Sequence, residues 1–444
     1  MKTPICDFVN EYAKSAAARL HMPGHKGKAF VGAESLDITE IGGADVLYSG
    51  DGIIAESQKN ASALFGTAKT LYSTEGSSLC IRAMLKLATE SRGGERPWIL
   101  AARNAHKAFL SACALLDIDV EWMYPKDRKS LLCCRIDAPC AERGIKARKT
   151  KPAAVYVTSP DYLGNTCDVG ELARVCHENG VILIVDNAHG AYLNFLPTNR
   201  HPIALGADMC CDSAHKTLPV LTGGAYLHIS KNAPAHLADG AEQAMQLFAS
   251  TSPSYLILQS LDMANAYLDG GYRQSLAATC RRAEALKQRF AFAGYELAGD
   301  EPLKLTVAPK SRGYTGYGIA DILLQNGVVC EFADPDFCVM MLTPELAEND
   351  VQRVETALLD IPARDPICEK PPIPRQSQAA MSIRQAMLSS STEADASHSC
   401  GAVLATPCVS CPPAIPVLMP GEIIDGAAIK CFEYYGIDRV RVIK

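Results

Sequence analysis

The sequence predicts an α/β protein whose large domain holds a mostly parallel sheet, followed by a smaller α+β domain and a small C-terminal domain. Three observations carry this. Val181-Ile-Leu-Ile-Val185 is an aliphatic run without alternation, the pattern of a strand buried on both faces. That run ends abruptly in Asp186, and a later apolar segment ends in Ser213-Ala-His215-Lys216. Ala153–Thr158, a helical pattern after Asp168, and Val181–Val185 succeed one another through short links, as in the strand–helix–strand unit of a parallel sheet. Ligands of open α/β sheets bind at the carboxyl ends of the strands. A carboxylate and a lysine delivered to that edge therefore read as a site.

The bulk numbers set the outer bounds. A chain of 444 residues exceeds one compact core, so two or three domains are expected. An apolar fraction of 48% with 21% charged residues is that of a soluble globular protein. The net charge of −6, with no basic block, argues against nucleic acid as a partner. The start, Met1-Lys-Thr-Pro-Ile-Cys-Asp7, lacks an apolar signal core, and no apolar run approaches about 18 residues. The expectation is a cytoplasmic protein without a membrane partner. Eighteen cysteines are scattered along the chain and read as small buried hydrophobes. Cys408-Val-Ser-Cys411 has His398, Cys400 and Cys431 nearby, but no second such pair and several prolines in the spacing. Reduced thiols and no metal are expected there.

In chain order, Cys6–Leu20 is predicted as a helix running into the loop His21-Met-Pro-Gly-His-Lys-Gly27. Asp37–Asp45 reads as a solvated connection and Ile53–Phe65 as a helix. Thr70-Leu-Tyr-Ser-Thr-Glu-Gly76-Ser77-Ser78, followed by the periodic Leu79–Leu87, is strand, tight turn and helix. The start of that helix offers backbone N–H groups and the positive end of the dipole, a natural phosphate seat. The plain alternative is a serine cap. Trp98–Ala101 is a strand with Arg103-Asn-Ala-His106-Lys107 past its end, Val120–Tyr124 is another, and Lys126–Lys151 shows no clear period. The helix after Asp168 carries Leu172, Val175 and Cys176 at helical spacing and stops at Asn179-Gly180. Gly223-Gly224 opens a further strand, Ala233–Gly270 reads as helix interrupted at Ser252-Pro-Ser-Tyr255, and Ser275–Phe292 as a long helix. From Leu303 the elements shorten: helix Ala320–Gln325, strands Val328–Phe332 and Phe337–Leu342, helix Asp350–Leu359. Five prolines between Pro362 and Arg375 mark a linker, and the proline-rich Cys411–Glu422 implies an extended, docked segment. The expected domains are an arm at 1–30, a large domain at 31–295, a small one at 296–364, a linker at 365–380 and a tail domain at 381–444.

The chemistry these residues suit is that of pyridoxal phosphate (PLP). That cofactor needs a lysine for the Schiff base, an acid beside the ring nitrogen, a flat group on the ring face and an anion seat. Lys216, Asp186, His106, and Gly76-Ser77-Ser78 with Ser213 supply one candidate for each. Each also has a bland reading: a surface lysine, a helix cap, a loop histidine, a serine cap or turn. Their joint occurrence at strand ends outweighs the separate alternatives.

The chain here resembles the PLP-dependent ornithine/lysine/arginine decarboxylases of the aspartate-aminotransferase fold (fold type I), in their short bacterial form. The resemblance runs nearly end to end. It rests on His21–Gly27, Asp37-Ile-Thr-Glu-Ile41, Gly76–Ser78, Asn104-Ala-His-Lys107, Asp186-Asn-Ala-His189, Ser213–Lys216, Thr251-Ser-Pro-Ser-Tyr255 and Pro412-Pro-Ala-Ile-Pro-Val-Leu-Met-Pro-Gly-Glu422. It implies that Lys216 is the Schiff-base lysine and Asp186 the partner of the ring nitrogen. It also implies that His106 stacks on the ring, and that Ser77, Ser78, Ser213, His215 and His189 surround the cofactor. The implied reaction is decarboxylation of arginine, lysine or ornithine in polyamine metabolism, with Lys216 or His215 returning a proton to the α-carbon. A homodimer or higher homo-oligomer with sites at the subunit interface is implied too, Ser252 and its neighbours reaching the partner's phosphate. Glu75 departs from the small polar residue expected before the seat glycine.

Two other readings compete. An aminotransferase or PLP lyase can share the fold. An aminotransferase grips the α-carboxylate, usually with an arginine fork, for which Arg312 and Arg384 are candidates. A non-catalytic PLP-binding protein is the third, against which the intact Lys216, Asp186 and His106 argue. A cationic substrate side chain calls for a carboxylate, with Glu422, Glu40 and Asp45 as candidates.

Overall fold

A computed structural model of the chain describes residues 1–90, 96–125, 130–373, 376–408 and 414–444. The chain forms two compact units. Residues 1–93 and 169–275 make the first, and residues 94–168 and 276–444 make the second.

In the first unit the strands Lys69–Ser73, Ala225–Ile229, Met209–Asp212 and Ile182–Asp186 lie side by side in that order. The first two pairings are antiparallel and the last is parallel. Parallel pairing places Asp186 opposite Cys211, so both strands deliver their carboxyl ends to one edge. Leu183, Ile184, Val185, Met209, Cys210 and Cys211 are all fully buried, which is why these segments carry no alternation. Each such aliphatic side chain contributes about 1.5–3 kcal/mol of burial.

The first helix is Pro4–Lys14, shorter than the predicted Cys6–Leu20. It stops because Ser15 turns its N–H and hydroxyl back onto the Tyr12 carbonyl and Ala16 takes φ 54°, outside the helical region. Its start is capped from a distance: the Ile5 and Cys6 N–H groups both donate to Asp262 Oδ2 at 3.0 Å. Asp262 lies on the Tyr255–Asp269 helix and also accepts the Ser57 hydroxyl. The Ile53–Phe65 helix forms over the predicted residues. Asp45 caps it, accepting from Ile54 and Ala55, so the Asp37–Asp45 stretch is more than solvated connection; Ile38 and Ala44 are buried.

The second unit contains three parallel strands in the order Ala154–Thr158, Trp98–Ala102, Asp119–Met123. It also holds an antiparallel sheet ordered Phe332–Ala333, Cys338–Met341, Lys304–Ala308, Glu296–Ala298, and the pair Ser391–Asp395 with Arg439–Ile443. Two predicted elements change. The strand expected at Val328–Phe332 is only the short Phe332–Ala333, because Val328 is spent closing the preceding helix through its N–H to the Leu323 carbonyl. The unorganised stretch before Lys151 contains a helix, Ala138–Ile145, capped by Asp137. Residues 126–129, 409–413 and Arg375 lie outside the described residues, and with them Cys411 of the Cys-x-x-Cys motif. The tail adds Ile383–Leu388, started by a Ser382/Gln385 capping box, and Gly426–Tyr434, capped by Asp425. No helix among the described residues is long and apolar enough to cross a membrane.

Candidate active site

The edge where Ile182–Asp186 and Met209–Asp212 end is where the first unit gathers its reactive groups. After Asp212 the chain makes one helical turn, Ala214–Thr217, which carries Lys216. Its Nζ lies 3.1 Å from Nε2 of His189, three residues beyond the neighbouring strand. Asp186 is only 2% exposed; its Oδ1 accepts the Ala188 N–H at 3.2 Å and the Cys211 thiol at 3.6 Å. His215 is anchored twice to the Gly224 carbonyl, through its N–H at 3.2 Å and Nδ1 at 3.0 Å, so the proton sits on Nδ1.

The expected anion seat begins at Gly76. Gly76, at φ 71° and ψ −179°, starts the Ser77–Thr89 helix with no side-chain cap on the first amides. Where a side chain on Gly76 would point, nothing approaches closer than the Ser78 nitrogen at 4.0 Å. That backbone conformation is one only glycine adopts at ease. The Gly76 N–H donates to the Gly223 carbonyl at 2.7 Å, which fixes the turn. Ser213 donates to Ser77 Oγ at 2.8 Å and thereby joins the seat to the lysine-bearing turn. Glu75, the departure noted in the sequence, accepts the Ser250 N–H at 2.7 Å and so ties the seat to the segment leading into Thr251–Tyr255. An uncapped helix start beside a lysine and a buried carboxylate fits a cofactor carrying a phosphate, an aldehyde and a basic ring nitrogen.

Beneath this edge lies a polar cluster that the sequence did not reveal. Asp212, fully buried, accepts from Asn187 Nδ2 at 2.7 Å on one oxygen, and from Nε2 of His201 (3.0 Å) and His228 (3.2 Å) on the other. His228 Nδ1 in turn meets Thr70 Oγ1 at 2.8 Å. Burial pushes the Asp212 carboxyl up, but the two histidines outweigh it and hold the group low. Asp212 thus grips the residue that follows Asp186 and immediately precedes Ser213. In sequence, Cys210-Cys211-Asp212 looks like the end of a strand, and only its position signals more.

His106 belongs to the second unit. It caps the Lys107–Leu116 helix, its Nδ1 accepting the Ala108 N–H at 3.1 Å. Two residues earlier Asn104 is 1% exposed, and neither its side-chain oxygen nor its nitrogen has a partner. A buried amide left unsatisfied costs about 1–3 kcal/mol per group, so Asn104 joins the candidate residues. Arg103 donates to the Pro416 and Val417 carbonyls, and the Lys107 N–H to that of Ala414. These bonds dock the proline-rich segment on the loop holding His106.

The remaining candidates sort by their partners. Glu422 is buried, accepts the Met419 N–H and lies 3.9 Å from Arg103; burial raises its carboxyl and Arg103 opposes that. Asp45 is committed to the Ile53–Phe65 helix, while Glu40 is exposed. Both candidate fork arginines bond backbone carbonyls. Arg312 donates to the Ala293 and Ile361 carbonyls, and Arg384 to those of Ala114 and Leu115.

Comparison with known proteins adds independent findings. A family model described as Orn/Lys/Arg decarboxylase, major domain, matches residues 3–299. An uncharacterized Bacillus subtilis protein is 31% identical over 77% of this chain and 74% of its own length. An arginine decarboxylase of Halalkalibacterium halodurans is 29% identical over 95% of this chain and 91% of its own. Among solved structures, the Francisella novicida lysine decarboxylase superposes with a TM-score of 0.82 at 17% identity, over 100% of this chain and 81% of that one. This last likeness shows the expected α/β fold.

Proposed function

The chain belongs to the Orn/Lys/Arg decarboxylase family, whose members are pyridoxal-phosphate amino-acid decarboxylases, and from that premise we propose which of its residues act and on what. The substrate is a basic amino acid, arginine, lysine or ornithine, converted to the corresponding amine for polyamine metabolism. Supporting this are an arginine decarboxylase among the similar chains and the commitment of both candidate fork arginines to backbone carbonyls. The enzyme works in the cytoplasm as a homodimer or larger homo-oligomer, with Ser252, exposed on the first unit, reaching the partner's site.

The observation that carries the assignment is the pairing of Lys216 Nζ with His189 beside the buried Asp186 and the uncapped helix at Gly76. When bound, the cofactor supplies an electron sink for the pair left at the α-carbon as CO2 departs. Lys216 holds it covalently, Asp186 keeps the proton on its ring nitrogen, and His106 covers the ring face. The helix start at Gly76, Ser77 and Ser78, with Ser213, holds the phosphate. His189 Nε2 exchanges a proton with Lys216 Nζ across 3.1 Å. Lys216 or His215 returns a proton to the α-carbon. The domain limits at residues 30, 295, 364 and 380 form part of the same proposal.

The test is an assay of the purified protein with added cofactor and each basic amino acid, reading CO2, amine and keto acid together. One substrate should yield CO2 and amine in equal amounts. Keto acid without CO2 overturns the reading in favour of an aminotransferase.

A further inference from the structure

The second unit contains a cavity of about 400 Å³, within the usual size range for small-molecule sites. Its walls include Leu131, Leu324, Val329, Phe332 and Ile437. Val329 is 83% exposed, Leu324 60% and Tyr317 48%, so a cluster of apolar side chains stands at the cavity in water. Among the described residues the titratable carboxylates on the lining are Asp321, Glu331 and Asp334, and no lysine, arginine or histidine lines it.

Two buried polar groups stand on that lining, one of them without a partner. Asp334 is 3% exposed; its Oδ1 accepts the N–H groups of Asp336 (2.7 Å) and Phe337 (2.6 Å), which closes the turn between Phe332–Ala333 and Cys338–Met341. Its Oδ2 is buried without a hydrogen bond. The Tyr435 hydroxyl is buried as well, with Ser130 as its side-chain neighbour. Gly316 packs the start of its helix onto this turn so closely that a side chain there would meet the Phe337 carbonyl oxygen at 1.9 Å, so the turn cannot swing away. The nearby cation, Lys310, is taken by Asp336 at 2.7 Å. Burial pushes the Asp334 carboxyl up to about 7, with Lys310 opposing it, and a bound cation would favour its charged form. Glu331 is bound by the Tyr162 hydroxyl at 2.8 Å and serves the rim.

We infer that this cavity binds an aliphatic amine, its ammonium on Asp334 Oδ2 and the Tyr435 hydroxyl and its methylene chain along Leu131, Leu324 and Phe332. An ammonium satisfies the orphaned Asp334 oxygen and offers a further donor to the Tyr435 hydroxyl, and a short alkyl chain matches the apolar walls. The inference stands apart from the proposed reaction. Where that reaction holds, its own product is a ligand of this class.

The test titrates the full-length protein, loaded with cofactor, with 1,5-diaminopentane by calorimetry while the visible cofactor band is followed in the same samples. An amine reaching the cofactor moves the band; one in this cavity does not. One molecule per chain should bind with no change in the band, and 1,5-pentanediol should not bind. Tyr435→Phe removes a single hydroxyl and Leu324→Trp fills space from an exposed position, so both should fold. Each should weaken the band-silent binding at least tenfold. Absence of band-silent binding, or equal binding in both variants, overturns the inference. Failure of the proposed reaction reads out separately, as no CO2 from any basic amino acid.

Discussion

Asp186 and Asp212 close adjacent parallel strands, yet their partners give them different work. Asp186 accepts an amide at 3.2 Å and a thiol at 3.6 Å, and its proposed partner is a ring nitrogen. Asp186→Ala should retain the cofactor poorly and lose turnover by roughly 10²–10³-fold, the scale of removing one preorganised electrostatic group. Near-normal activity in that variant would falsify its assigned role. Asp212 instead anchors Asn187, His201 and His228 in a dry core. Asp212→Ala should cost about 3–5 kcal/mol in urea unfolding, since it strands buried donors. The cluster also fixes a direction of pH dependence. His228 is buried, which lowers it despite Asp212, so the unfolded chain binds more protons than the native one as pH drops below about 6.5. Asp212 is held low by the histidines facing it, so its contribution is present above about pH 4 and lost as pH falls further. Both terms make acid destabilising. Unfolding free energies at pH 5 and pH 7 should differ in that sense for the wild type, and by no less in Asp212→Asn, which removes the carboxylate that raises His228.

At the scale of elements, the strands and helices readable in the sequence were those whose pattern is set by burial on a long face. Ile182–Asp186 and Ile53–Phe65 emerged where predicted. Elements fixed by one or two caps did not. Ala138–Ile145 starts at Asp137, Ile383–Leu388 at a Ser382/Gln385 box and Gly426–Tyr434 at Asp425; each is too short for periodicity to stand out. The first helix is readable as a helix but not in its limits, because its cap is a side chain more than 250 residues away. Thr3 offers no side-chain cap, so the free amides of Ile5 and Cys6 rely on Asp262. Asp262→Ala should loosen Pro4–Lys14 at a cost of about 1–3 kcal/mol. Hydrogen exchange should then quicken in that helix while the strands of the same unit keep their protection. Uniform loss of protection would instead make Asp262 a determinant of the whole unit.

For the molecule as a whole, the sequence made the lysine, the aspartate and the glycine-serine seat legible because each follows a strand or opens a helix in an ordered pattern. The Asp212 cluster and Asn104 were not legible. His201, Asn187 and His228 come from three separate segments, and nothing in their spacing announces that they meet. The cavity at Asp334 was hidden for a related reason: Asp334-Pro-Asp336 reads as an ordinary turn, and the orphaned oxygen exists only once the hairpin is closed.

The division of the chain also sets a timetable for its synthesis. Lys69–Ser73 pairs with Ala225–Ile229, about 150 residues further on. At roughly 5–20 residues per second, the first strand and its glycine-serine turn wait on the order of 10–30 s for that partner. Meanwhile the ribosome makes strands belonging to the other unit. Such long-range closure is slow and leaves an unpaired edge exposed. Ribosome-stalled chains ending near residue 220 should therefore be cut readily by protease within Lys69–Thr89, whereas chains released past Ser275 should resist.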